Sequence, residues 1–167
     1  CSSDLEIWWT FGWPYETSAT MTRMVFSGFF DRLPNLRIIT HHLGAMIPFF
    51  DGRVGPGLDQ FGSRTSDEDY EGLLKRMPKR PIDYFRMFYA DTALAGGHHS
   101  ALRCGLDFFG SKHVVFATDC PFDPEGGPMF IRTIPEAITA LNLPKQELDD
   151  VYFGNALRLL KMDCDCC

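Results

Sequence analysis

Several things are scarce in this sequence, and each absence narrows what the chain can be. No apolar run approaches the ~20 residues that a membrane-spanning helix needs, so no membrane partner is expected. Cationic residues are outnumbered, 16 Lys and Arg against 22 Asp and Glu, and the net charge of −6 works against nucleic acid or an anionic membrane surface. The six cysteines do not form the evenly spaced framework of a secreted disulfide domain. No C-x-x-C pair has the partner that a zinc ribbon requires. Reduced thiols in a cytoplasmic protein are the expectation. A phosphate-binding loop, a G-x-G-x-x-G turn after a strand and a G-x-S-x-G elbow are all missing, so the usual signatures of nucleotide binding and serine-hydrolase chemistry are absent. Cys1-Ser2-Ser3-Asp4 has neither the basic nor the apolar region of a signal peptide and no initiator methionine precedes it, so the chain reads as a fragment or a processed product.

What is present is material for a core. Apolar residues make up 45% of the 167, with 15 phenylalanines, which suits one folded domain. Pro14 and Glu16-Thr17-Ser18 read as a loop feeding a helix cap. Met21, Met24, Val25, Phe29 and Leu33 then recur at helical spacing. Residues 36–40 form an apolar, β-branched run, a strand that ends in His41-His42. A helix carrying Arg53 is expected over 46–54, and an irregular insertion with a short helix near 70–77 over 55–80. Residues 85–90 read as a second strand ending at Asp91-Thr92, Gly96-Gly97 as a hinge-like loop, and 98–109 as a helix. A third strand, 114–118, ends at Asp119 and Cys120-Pro121. Residues 129–141 read as an amphipathic helix, and 145–160 as two helical turns with a frayed stretch at Gly154-Asn155 between them.

Such alternation of helix and strand demands a parallel sheet with right-handed crossovers. Three strands alone would leave two sheet edges open. The fold class is therefore α/β, either part of a larger (β/α) barrel or a small doubly wound, flavodoxin-like binding domain.

In parallel α/β sheets, ligands gather at the C-terminal ends of the strands. His42 stands at such an end with Gly44 leaving room beside it; it can bind a metal, move a proton or simply pack. By strand alternation His41 should point the other way, so one of the pair should face a pocket. Asp119 is a carboxylate that is costly to bury unless paired or metal-bound. Ligation, proton transfer and a helix cap all suit it. Asp91 reads as a turn or cap residue, and Cys120 as a small buried one. Arg53, close behind the His42 strand, could hold a substrate carboxylate. Trp8, Trp9, Phe11 and Trp13 read as core packing, with a pocket wall as the alternative.

Ordered motifs then point to a family. Gly12-Trp13-Pro14-Tyr15-Glu16-Thr17, Phe26-Ser27-Gly28-Phe29-Phe30-Asp31-Arg32-Leu33-Pro34, His42-Leu43-Gly44 with Pro48 and Arg53, Phe88-Tyr89-Ala90-Asp91-Thr92, Phe116-Ala117-Thr118-Asp119-Cys120-Pro121-Phe122 and Gly154-Asn155-Ala156 occur in sequence. The set, over residues 8–161, resembles the C-terminal half of amidohydrolase-related proteins, in the branch of the aminocarboxymuconate-semialdehyde and resorcylate decarboxylases. The resemblance implies strands six to eight of a (β/α)8 TIM barrel over residues 1–161, with a Cys-rich tail at 162–167 expected to be disordered. It implies a divalent metal, zinc, at the barrel rim. His42 would be the catalytic proton-moving histidine, and Asp119 a metal ligand that can also act in catalysis. Arg53 would bind substrate carboxylate, reaching a neighbouring subunit of a homo-oligomer, a dimer; Trp9 would be a pocket aromatic. The substrate would be a small aromatic or unsaturated carboxylic acid, decarboxylated without an oxidant or, in hydrolase relatives, hydrolysed. The family's H-x-H metal pair and fifth-strand histidine are absent and would lie before Cys1. A truncated, non-catalytic binding or assembly module is therefore the alternative.

Overall fold

Pro14 has no amide hydrogen to leave unpaired, and it stands in the first turn of helix α1 (Trp13–Phe26), where proline is tolerated. In the computed structural model, residues 4–65, 67–94 and 98–163 are described. The chain gathers into two units, one of Cys1–Leu36 with Ala45–Met87 and one of Arg37–Gly44 with Phe88–Cys167.

In the first unit, α1 follows a π-helical turn at Trp8–Gly12. The loop expected at 14–18 is helical instead. The Ser18 and Thr22 hydroxyls donate back to carbonyls four residues earlier, at 2.7 and 2.8 Å, so these polar residues stay within the helix. Gly28, at φ +71°, ends the expected run to Leu33 and separates α1 from the short α2 (Phe29–Arg32). Helix α3 (Tyr70–Arg76) is capped by Asp69, whose carboxylate accepts the Gly72 amide at 3.0 Å. Helix α4 (Pro81–Phe85) lies against α1. The core here consists of Met21, Val25, Phe30, Ile47, Val54, Ile82, Tyr84 and Phe85. Tyr84 is fully buried, and its hydroxyl donates to Asp31 at 2.7 and 2.9 Å. The helix expected over 46–54 is a series of turns followed by a π-helical turn at Arg53–Gly57, which has Pro56 inside it. Neither Trp8, Trp9, Phe11 nor Trp13 is core: all four are exposed.

The second unit holds the sheet. Strands β1 (Ile39–Thr40), β2 (Tyr89–Asp91) and β3 (Val114–Val115) lie in the order β1-β2-β3, all parallel. Thr40 pairs with Ala90, and Ala90 with Val114. All three strands are shorter than the apolar runs that contain them. The start of the expected 85–90 strand is taken by α4, and residues 116 and 117 are held by other bonds. Phe116 N–H donates to the Val151 carbonyl at 2.9 Å. The buried Thr92 hydroxyl donates to the Ala117 carbonyl at 2.8 Å and accepts the Ala117 amide at 3.0 Å. Helix α5 (His99–Phe109) connects β2 to β3 and buries Leu102, Leu106, Phe108 and Phe109. It is followed by α6 (Pro128–Thr139), α7 (Lys145–Asp149) and α8 (Asn155–Leu160), the last two joined by a π-helical turn at Asp150–Gly154.

That junction is not frayed as expected. Asn155 is 1% exposed and its amide donates to the Ser111 and Val114 carbonyls, at 2.7 and 2.6 Å, tying α8 to the foot of β3. The Cys-rich tail falls outside the described residues from 164 onward, as does the Gly96-Gly97 loop. No helix among the described residues is long and apolar enough to cross a membrane.

Candidate active site

Parallel pairing brings the C-terminal ends of the three strands to one rim of the sheet. β1 delivers His41 and His42, β2 delivers Asp91, and the segment after β3 delivers Asp119. The backbone at both outer ends is left-handed. His42, Leu43 and Gly44 follow one another at φ +51°, +52° and +77°, and Asp119 stands at +65°. For side-chain-bearing residues this conformation costs of order 1 kcal/mol or more each, and it persists only where the surroundings enforce it.

The enforcing contacts are visible. Asp91 Oδ1 accepts the His42 amide at 2.9 Å and the Ala93 amide at 3.0 Å. His42 Nδ1 meets the Ala93 carbonyl. Leu43 is buried against α5 at Gly105, where an added Cβ would overlap Leu43 Cδ2. The side-chain alternation expected for the two histidines is broken by this turn. Their rings touch edge to face with centroids 4.5 Å apart, so both belong to the same rim.

Electrostatics follow from this packing. Burial pushes the Asp91 carboxyl above its ordinary value, and the Ala93 and His42 amides with the two imidazoles only partly offset it. Desolvation and the neighbouring His42 hold the His41 imidazole below its ordinary value, although Asp91 and Asp119 pull it upward. Asp119 is half-buried, and Cys120, expected to be buried, is exposed.

The other two candidate residues lie in the first unit. Arg53 is exposed at the start of its π-helical turn, with its guanidinium 5.8 Å from the Phe50 ring centroid. With Arg23, Tyr15, Ser18 and Met46 it lines a groove of about 590 Å³. Two guanidinium groups on one groove suit an anion. Trp9 is 45% exposed, and its indole N–H donates to Glu6 at 2.8 Å. It does not line that groove. Asp91 is the residue of the rim that sequence reasoning left as a cap. Its position at a strand end was the available signal, but its two amide partners depend on tertiary structure.

Among the described residues, no group of three or more His, Cys, Asp and Glu side chains could hold a metal ion.

A family model described as amidohydrolase matches residues 3–162. The chain belongs to the amidohydrolase family. This amidohydrolase chain is 31% identical over 155 residues to the 2-amino-3-carboxymuconate-6-semialdehyde decarboxylase of Dictyostelium discoideum, a match covering 93% of the chain and 39% of that protein. Among solved structures it resembles 5-carboxyvanillate decarboxylase of Sphingomonas paucimobilis, with 28% identity and a TM-score of 0.67 over 91% of the chain and 42% of that one. The fold also matches a dihydroxybenzoic acid decarboxylase of Polaromonas sp. JS666, solved with manganese and the inhibitor 2-nitroresorcinol; identity is 22%, the TM-score 0.68, and coverage 96% of this chain and 47% of that one. The amidohydrolase chain thus spans less than half the length of these relatives.

Proposed function

We propose that residues 1–161 supply strands six to eight of a metal-dependent (β/α)8 decarboxylase. The observation that carries this reading is the rim itself: His42 just past β1 and Asp119 in the segment after β3, both with left-handed backbone, in a chain of the amidohydrolase family. The substrate is a small aromatic or unsaturated carboxylic acid, as the names of the relatives suggest. His42, once protonated, delivers the proton that bonds to the substrate carbon as the bond to the departing carbon dioxide breaks. Arg53 holds a carboxylate from its cationic groove. Asp119 contributes one oxygen ligand to a divalent cation, whose remaining ligands come from outside this chain. Manganese is the ion in a structural neighbour and zinc the ion that the sequence resemblance implies; a carboxylate oxygen serves either. Trp9 stands as a pocket aromatic of the complete enzyme, which is a dimer.

The test is carbon dioxide release by the native protein from a panel of hydroxylated benzoic and unsaturated carboxylic acids. Asp119→Asn should lower metal content and turnover together, by tenfold or more. Full metal occupancy with full activity in that variant would overturn the ligand role, and silence across the panel would overturn the reaction.

One observation favours a second reading, a non-catalytic binding or assembly module: the described residues assemble no metal site. Metal analysis of the isolated chain separates the two. Stoichiometric metal with turnover removes the module reading.

A further inference from the structure

Asp91 has a geometry that goes beyond capping a turn. Both amides that it accepts, from His42 and from Ala93, point at the same oxygen, Oδ1, at 2.9 and 3.0 Å. One atom therefore fixes the backbone at the end of β1 to the backbone just past β2. The Ala93 carbonyl lies against His42 Nδ1. A carbonyl oxygen can only accept, so Nδ1 must carry the proton, and in the neutral ring Nε2 is then the bare nitrogen.

We propose that Asp91 is a positioning residue for His42: through Oδ1 it clamps the His42 and Ala93 amides, so that the Ala93 carbonyl holds the Nδ1 proton and Nε2 becomes the basic nitrogen of the rim. The tautomer of a histidine is set by the bond that its other nitrogen makes, and here a backbone carbonyl sets it. The clamp also pins His42 in its left-handed conformation, from which a relaxed extended backbone would turn the ring away. Its use in catalysis rests on the reading of His42 as the acid–base group; the clamp itself does not.

The charge of Asp91 is not what the clamp requires. An asparagine at 91 offers one carbonyl oxygen, enough for both amides, whereas alanine offers none. Charge pairing with the imidazoles, or metal ligation by Asp91, would be lost in both variants. The experiment is a long-range proton–nitrogen spectrum of the full chain with nitrogen-15 histidine, recorded above the imidazole titration range. His113 is the internal control, because its Nδ1 lies 3.1 Å from the Phe88 carbonyl in the same unit.

In the wild type, His42 should show a protonated Nδ1 and a bare Nε2. Asp91→Asn should keep that pattern. Asp91→Ala should lose it and give a mixture of tautomers, while His113 stays unchanged. If Asp91→Ala disturbs His113 too, the variant has lost its fold and Asp91→Asn decides alone. Loss of the His42 pattern in Asp91→Asn, or its survival in a folded Asp91→Ala, overturns the proposal. None of these readouts depends on decarboxylation, so failure of the clamp and failure of the proposed reaction are separable.

Discussion

Tyr84 shows how much one side chain can decide in the first unit, whose described residues form no sheet. It is 1% exposed, and its hydroxyl donates to both oxygens of Asp31. Burial, and then the bond to Asp31, push its phenol up from 10 to about 12. The folded state therefore holds this proton more tightly than the unfolded chain does. The resulting stability is fully present below pH 10 and is lost as pH rises through about 12. Tyr84→Phe should cost roughly 1.5–3 kcal/mol in urea unfolding at neutral pH, the range for a hydrogen bond to a charged partner. The same variant should flatten the alkaline decline, and an unchanged decline would show that another group causes it. At this scale the sequence was legible in part. His42 and Asp119 stood out because apolar runs ended in them. The shared side of His41 and His42 was hidden, because strand alternation holds only while the backbone stays extended and both His42 and Leu43 have positive φ.

Among the elements, the segment after β3 depends on a side chain from the residue just past β2. The β3 ladder covers only Val114–Val115, and the Thr92 hydroxyl then stands in for the next pair of backbone bonds. Thr92→Val keeps the shape but leaves the Ala117 amide and carbonyl without that partner. It should cost about 1–3 kcal/mol in denaturant unfolding, and Thr92→Ser should recover most of it. A second test lies on α5. Gly105→Ala would drive a methyl into Leu43, so the variant should lose about 1–3 kcal/mol on thermal or chemical unfolding. The order of strands and helices was readable from periodicity, but strand limits were not. The run 85–90 buries Phe85, Phe88 and Ala90 and exposes Arg86, and periodicity alone cannot tell so short a strand from a buried helical turn. Proline at 81 was the sign that a helix begins there. The expected fraying at Gly154-Asn155 failed for a related reason. A Gly-Asn pair favours irregular backbone in isolation, but Asn155 is held by two carbonyls far away in sequence.

For the molecule as a whole, the largest departure from expectation is where its aromatics lie. Trp8, Trp9, Phe11 and Trp13 are 44–67% exposed along one stretch of chain. Exposed apolar surface on this scale marks a binding face. The isolated chain should therefore associate at micromolar concentration. Light scattering should give a mass above the 19.0 kDa of one copy, and Trp9→Ser with Phe11→Ser should return it toward that value. A single copy at all concentrations would count against this. Composition announced a sizeable core but could not say which aromatics it would leave out, since a tryptophan reads the same in a core as at a seam.

The left-handed run that begins at His42 continues through Ala45, at φ +56°. Four successive residues of this hand form a narrow channel for mutation. In a saturation library, positions 42, 43 and 45 should admit glycine, asparagine and aspartate and refuse valine, isoleucine and threonine. Selection would then mark this stretch as strongly as a binding motif, through the shape of its backbone as much as through the chemistry of its histidine.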